Sequence, residues 1–312
     1  MARLFPAPQP WLKTVAGSNK IFTAAGEQVV LRGANFMRAE WGGDIEWETQ
    51  QAIPRLAAWG GNVIVRGFAS NPVINPAYTH TRDWGDTVTS KQYLEWLDQE
   101  QQAAEKAGMY IVLSWRHHEI DGEIKEVLRP GNQATEALVA LAKRYHGKPN
   151  VIYSLQVEPH DVGWPELLGQ YNMMVNEIRK VSAPHKPLIL VPGTEWSRNT
   201  SWAVDPKRRV TADSGVNIVY KSHPYESNTS LFKRDFLDTH NANLPVFVGE
   251  FGLESDIGMT QVEVDALLAT VGKADISWAA WVFDYDTAQG LMLTDRKTMA
   301  PTPYGVSVKN DL

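Results

Sequence analysis

Short apolar runs recur along this chain, each followed by a polar or aromatic loop and then by a stretch whose apolar residues fall three and four positions apart. The runs are 28–32 (QVVLR), 62–66 (NVIVR), 109–113 (MYIVL), 151–155 (VIYSL), 187–191 (PLILV), 216–220 (VNIVY), 245–248 (PVFV) and 276–282 (ISWAAWV). Short apolar runs rich in β-branched residues read as buried strands, and the period of about 3.6 between them reads as helices. The helix ends are legible. Tyr93, Leu94, Leu97, Ala104 and Ala107 form one apolar stripe, with Gly108 where a left-handed C-terminal cap belongs. A second helix is expected over 137–145, entered near Asn132 and stopped at Gly147. Leu167, Leu168, Tyr171, Val175 and Ile178 make a third, with Pro165 in the first turn, where its missing N–H leaves no bond unmade. Thr260 and Glu263 have capping-box spacing ahead of Val264, Leu267 and Leu268.

Strand-then-helix repeats of this kind predict an α/β fold with a parallel sheet, here a single (β/α)8 TIM barrel over 1–312 with no appended module. An open doubly wound sheet fits less well, because no glycine-rich nucleotide fingerprint follows any run. The stretch 20–32 (KIFTAAGEQVVLR) reads as a β-hairpin turning near Gly26 and closing the barrel bottom, which leaves the first barrel strand to be placed.

Composition narrows the function. Hydrophobic residues make up 43% of 312, enough for a large core and too many for a disordered chain. A net charge of -6 gives no electrostatic footprint for nucleic acid or an anionic membrane, and neither is an expected partner. No cysteine is present, which excludes disulfides, thiolate metal sites and cysteine nucleophiles. No run approaches the roughly 18 apolar residues of a membrane span, and 1–13 (MARLFPAPQPWLK) lacks the apolar core of a signal peptide. The 12 Trp, with 10 Tyr and 9 Phe, suit either a packed core or the flat faces of sugar rings.

In a TIM barrel the site lies at the C-terminal ends of the strands. Charged, imidazole and aromatic groups cluster there: Asn35, Arg38, Glu40 and Trp41 after the first run, Arg66 in the second, and Trp115, Arg116, His117, His118 and Glu119 after the third. Glu158 follows the fourth (QVEPH), Glu195 and Trp196 the fifth, His223 and Tyr225 the sixth, Glu250 the seventh (VGEFG), and Trp281, Asp284 and Asp286 the eighth. Glu158 and Glu250 stand out because each follows its run at once and is therefore held by sheet. Two rigidly held carboxylates are what a glycosidase needs, one protonated to assist the leaving group and the other ionised. His117, His118, Glu119 and Asp121 could instead form a metal cluster, but no histidine pair has the i, i+4 helical spacing of a zinc hydrolase. Trp47, Trp59, Trp96 and Trp278 are expected in the core; Trp41, Trp115, Trp196 and Trp281 are expected to stack on sugar; Trp84, Trp164 and Trp202 are unassigned.

Seven segments in order, 30–36 (VLRGANF), 61–66 (GNVIVR), 108–115 (GMYIVLSW), 151–159 (VIYSLQVEP), 217–225 (NIVYKSHPY), 245–252 (PVFVGEFG) and 276–281 (ISWAAW), resemble the strand motifs of family 5 glycoside hydrolases. These are retaining (β/α)8 enzymes that include endo-β-1,4-glucanases and β-mannanases. Position by position, the resemblance implies that Glu158 is the acid/base and Glu250 the nucleophile. It implies that Arg66 orients the nucleophile, that His223 and Tyr225 tune the carboxylates, and that Trp281 forms a stacking floor. Two positions depart from the family. Val157 stands where the family has an asparagine that binds the sugar 2-hydroxyl, and Ser114-Trp115-Arg116 stands for Asp-Trp-His. Either Arg116, His117 or His118 supplies the missing contact, or the substrate differs there, or turnover is weak.

The expectation is a retaining hydrolase of β-linked polysaccharide, with endo-β-1,4-glucanase first and mannanase, xyloglucanase and β-1,3-glucanase as alternatives. A carbohydrate-binding barrel with lost turnover is the competing class. No cofactor or metal is implied, the partner is a β-linked oligo- or polysaccharide, the protein is expected to be monomeric, and the resemblance implies export from the cell.

Overall fold

The structure, a computed structural model, describes residues 9–36, 44–82, 85–118, 133–254, 256, 258–285 and 290–312. Eight parallel strands close into a barrel: β1 (Arg32–Phe36), β2 (Val63–Ala69), β3 (Tyr110–His117), β4 (Val151–Ser154), β5 (Ile189–Pro192), β6 (Ile218–Ser222), β7 (Val246–Val248) and β8 (Ser277–Ala280). Each pairs with its sequence neighbours, and β8 closes on β1 through Trp278, Ala279 and Ala280 against Arg32, Gly33 and Ala34.

The predicted helices form where the pattern puts them. Ser90–Ala107 is capped by Thr89 and Gln92 in a capping box and ends at Gly108 with φ 76°. Gln133–Arg144 follows, and Trp164–Ser182 carries Pro165 in its first turn. Gln261–Ala274 opens on the Thr260/Glu263 capping box. The entry residue Asn132 lies outside the described residues, and no described helix is long and apolar enough to cross a membrane.

The run 28–32 divides. Gln28–Val29 pairs antiparallel with Ile21–Thr23, which pairs with Leu12–Thr14, while the first barrel strand begins only at Arg32. The hairpin is thus part of a three-stranded sheet under the barrel. Leu12 and Ile21 join Leu31, Val63, Val65, Tyr110, Val112, Ile152, Leu190, Val219, Phe247 and Ala279 in the interior cluster. Alternate residues of the same strands, such as Ile64, Phe68, Ile111, Leu113 and Tyr153, pack outward against the helices. Strand side chains alternate faces, so this two-cluster division fixes which strand-end residues can enter the barrel mouth.

Candidate active site

Counted along β3 from the interior residues Tyr110 and Val112, the next inward positions are Ser114 and Arg116; along β6 from Val219 they are Lys221 and His223. Both carboxylates sit just beyond strands whose ladders continue past their formal ends. Leu155 N–H donates to Leu190 O at 3.1 Å and Val157 N–H to Trp115 O at 2.7 Å, which carries β4 on to Glu158. Gly249 N–H donates to Ser222 O at 2.7 Å, and the buried Asn35 amide donates to Gly249 O at 2.9 Å, fixing the backbone before Glu250.

These supports bring the carboxylates together over His223. Its Nδ1 lies 2.9 Å from Glu158 Oε1 and 3.6 Å from Glu250 Oε2, and one atom of each of the three side chains lies within 4.8 Å of the others. An approach this close is nearer the roughly 5 to 5.5 Å of a retaining pair than the roughly 6.5 to 9.5 Å of an inverting one. Glu250 is the deeper of the two, its side chain 11% exposed against 27% for Glu158.

Electrostatics splits the pair. Burial and the charge of Glu158 push Glu250 up to about 8, against the pull of Arg116 and Lys221. Burial also pushes on Glu158, but the His223 hydrogen bond and the positive charges of Arg116 and Lys221 hold it below the ordinary glutamate value. Two carboxylates this close titrate as a unit, so around neutrality they hold one proton and one negative charge between them. His223 is pushed down to about 4 by burial and by Lys221, so its ring is neutral and presents Nδ1–H to an ionised Glu158. Burial and the two carboxylates drive the Tyr225 phenol well above 10, which keeps its O–H as a donor.

The pair opens into a cleft of about 470 Å³ lined by Arg116, Trp196, Arg198, Tyr225, Glu254, Asp256 and Trp281 as well as His223 and the carboxylates. Trp281 is fixed through its carbonyl, 2.7 Å from the Tyr304 hydroxyl of the C-terminal helix Pro303–Asp311. Trp196 is 47% exposed and stacks on His160 at 3.7 Å between ring centroids. It lies in a run of three left-handed residues, Glu195, Trp196 and Ser197, with φ of 57°, 61° and 61°. Such backbone costs of order 1–3 kcal/mol per residue and persists only where surroundings enforce it; here Trp196 N–H donates to Pro159 O at 2.9 Å, next to Glu158.

Four expected site residues are placed elsewhere. Trp115 is fully buried on the outer face of β3 and donates its indole N–H to Ser70 Oγ at 2.6 Å, so it is core and offers no face to a sugar. His117 pairs with Ala69 beyond a register shift in the β2–β3 ladder and is 4% exposed, and His118 is half-buried; neither lines the cleft. Arg66, expected to orient Glu250, shares the outer face of β2 with Ile64 and Phe68. Among the described residues it forms ion pairs with Glu48, on the π-helical turn Glu48–Ala52, and Glu100, on the helix Ser90–Ala107. Trp41, with Arg38, Glu40, Trp84, Glu119, Asp121 and Asp286, lies outside the described residues. Of the unassigned tryptophans, Trp164 is buried and Trp202 packs partly buried against the core.

The structure adds one residue that the sequence reading passes over. Lys221, next to last in β6 and directly after the run 216–220, is 3% exposed and donates from Nζ to Gln156 O at 2.6 Å and Val157 O at 3.0 Å. Its signal in the sequence is a lysine at an inward position, two residues before His223, where a hydrophobic or small residue would pack at no desolvation cost. Glu158, His223 and Glu250 are also the one group among the described residues spaced closely enough to hold a metal ion. The positive charges of Arg116 and Lys221 beside them work against a cation there.

Residues 22–287 match the family described as Cellulase (glycosyl hydrolase family 5). Endoglucanase Z of Dickeya dadantii (strain 3937) is 27% identical over 208 residues, 65% of this chain and 45% of that protein. Endoglucanase MaCel5A of Microbulbifer sp. (strain ALW1) is 29% identical over 193 residues, 59% of this chain and 36% of that protein. The chain thus spans less than half the length of these curated relatives. Among solved structures, β-glucanase SdGluc5_26A from Saccharophagus degradans in complex with cellotetraose superposes with a TM-score of 0.75 at 19% identity, covering 97% of this chain and 92% of that one. The catalytic domain of Thermobifida fusca endoglucanase Cel5A with cellotetraose gives 0.72 at 20%, covering 96% of both. With the barrel closed, two carboxylates at its mouth and the family pattern matched from the N-terminal sheet to beyond β8, the chain belongs to glycosyl hydrolase family 5.

Proposed function

We propose that this protein is a retaining endo-β-glucanase working by double displacement, with Glu250 as nucleophile and Glu158 as acid/base. The observation that carries the reading is the close approach of the two carboxylates over His223. Their depths support the roles. A nucleophile must reach the anomeric carbon from beneath the ring, and Glu250 is the deeper group; an acid/base must meet the leaving oxygen and later a water, and Glu158 is the more exposed.

In the first step Glu250 attacks the anomeric carbon while Glu158 gives its proton to the departing oxygen; in the second Glu158 takes a proton from water, which releases the sugar from Glu250. Electrostatics favours the shared proton on Glu250 in the free protein, whereas the first step needs it on Glu158. Trp281 and Trp196 supply aromatic faces in the cleft, and Arg116 is the one of the three candidate substitutes for the missing asparagine that lines it. Two structurally similar proteins carry cellotetraose, which favours a β-glucan over other β-linked chains.

Reducing-sugar release from soluble β-glucans tests the proposal. Glu250→Ala and Glu158→Gln should each lower turnover by at least about a thousandfold, with Glu158→Gln recovering on aryl glycosides whose leaving group needs no proton. Full activity in either variant would remove the assignment. Wild-type protein that binds β-glucan and releases nothing would favour the binding-only reading that Val157 raises.

A further inference from the structure

Between the strand that leads to Glu158 and the strand that leads to His223 stands β5, which pairs with both β4 and β6. Its support for β4 gives out just below Glu158. Leu155 N–H still donates to Leu190 O, but β5 ends at Pro192, which has no N–H to return, and by Val157 the chain has turned its N–H to Trp115 O on β3. Gln156 and Val157 are both buried, and a buried carbonyl left unmet costs as much as a lost hydrogen bond. Lys221 Nζ reaches across from β6 and meets both carbonyls, at 2.6 and 3.0 Å, with Ser154 Oγ adding a bond to Gln156 O at 3.1 Å.

The stem of the same lysine lies against the segment of the other carboxylate. A Cβ on Gly249 would come within 2.9 Å of Lys221 Cγ and Cδ and 2.8 Å of His223 Nε2, so the residue before Glu250 is small because both side chains pass beside it. Lys221 thus packs on the backbone that leads to Glu250 and holds the backbone that leads to Glu158. His223, one inward position higher, lies against the same glycine and meets the Glu158 carboxylate itself at 2.9 Å. Resting on the glycosidase reading above, we propose that Lys221 is a positioning residue, a spacer between the Glu250 and Glu158 segments that holds the acid/base where it meets the leaving oxygen. The brace works through length and hydrogen bonds, not charge. Burial draws the Lys221 amine down to about 7, and the ammonium and the neutral amine alike carry enough N–H groups for both carbonyls. Misplacing a catalytic group by about 1 Å can cost about a hundredfold in rate.

Two substrates separate this role from a general loss of structure. A cello-oligosaccharide must have its leaving oxygen protonated, whereas dinitrophenyl β-cellobioside releases a stable dinitrophenolate without an acid. For both, kcat/KM reports the steps through the attack by Glu250. Lys221→Met keeps an unbranched stem of similar length and removes the donors. In that variant kcat/KM on the oligosaccharide should fall by about 30 to 100-fold, within what a positioned acid supplies, while the aryl glycoside stays within about threefold of wild type. Glu158→Gln, measured alongside, marks the full extent of the same split. Lys221→Gln, shorter but with amide N–H groups for the carbonyls, should show it to a lesser degree.

A merely structural lysine would lower both substrates by the same factor, and that result overturns the proposal. So does a larger loss on the aryl glycoside, which would place the effect on Glu250, and so does unchanged turnover on both. Loss of cooperative folding in both variants also overturns it, since the lysine would then serve the fold. Wild type that releases product from neither substrate sinks the glycosidase reading itself, whereas active wild type with no split in the variants sinks only the role of Lys221.

Discussion

Glu250 pairs depth with a second carboxylate close by, and both effects favour its neutral form. The consequence for stability has a definite sign. Its carboxyl is raised from 4.5 to about 8, so the folded protein keeps a proton that the unfolded chain has lost across that window. The native state is thus progressively destabilised as pH rises from 4.5 through 8. Glu250→Gln removes this liability and should stabilise the protein by on the order of 1 to 3 kcal/mol near the top of the window, and by little near its foot. Thermal melts of both proteins across that range check it; a constant difference would show that Glu250 does not titrate as described. Such a gain is the usual relation between a strained site and its fold. Glu158, Glu250, His223, Tyr225 and Trp281 are legible in the sequence because each lies at or just beyond a strand end, and strand ends of a parallel barrel converge. Lys221 is not, because a lone lysine directly after the run 216–220 reads as the polar opening of a loop, whereas the strand continues to Ser222 and encloses it.

Strands also explain the misplacements, since position along the chain fixes the level in the barrel and parity fixes the face. Trp115 lies at the right level on the wrong face; Arg116, next to it, enters the cleft. Arg66 follows the same rule against Val63 and Val65. The alternation is present in the sequence, but continuous apolar runs hide it, because parallel strands are buried on both sides and show no polar face. The tryptophans provide a measurable contrast. Trp115→Ala opens a cavity in the outer core and should cost about 3 to 5 kcal/mol in urea unfolding while leaving KM for a soluble β-glucan within a factor of about two. Trp281→Ala should do the reverse, raising KM with little change in the unfolding midpoint. Equal effects of the two on KM would contradict the faces assigned here.

The molecule as a whole is a barrel whose floor and mouth are finished by segments outside the eightfold repeat. The three-stranded sheet of Leu12–Thr14, Ile21–Thr23 and Gln28–Val29 plugs the interior with Leu12 and Ile21, and the Tyr110 hydroxyl at the foot of β3 donates to Pro10 O at 2.8 Å. At the mouth, the C-terminal helix reaches over with Tyr304 to pin Trp281. Repetition makes the barrel readable; these finishing segments, like the small hairpin of Thr79–Thr81 and Thr87–Thr89, have no repeat to announce them. The hairpin turning near Gly26 is the exception, because a left-handed glycine there, φ 95°, marks its turn. All of this scaffolding serves one arrangement, two carboxylates brought close together over His223 at the barrel mouth. Proton NMR of the first product formed from a cello-oligosaccharide, recorded before mutarotation, tests that arrangement most directly. Double displacement by Glu250 and Glu158 predicts that the new reducing end appears as the β anomer, and first appearance of the α anomer would contradict it.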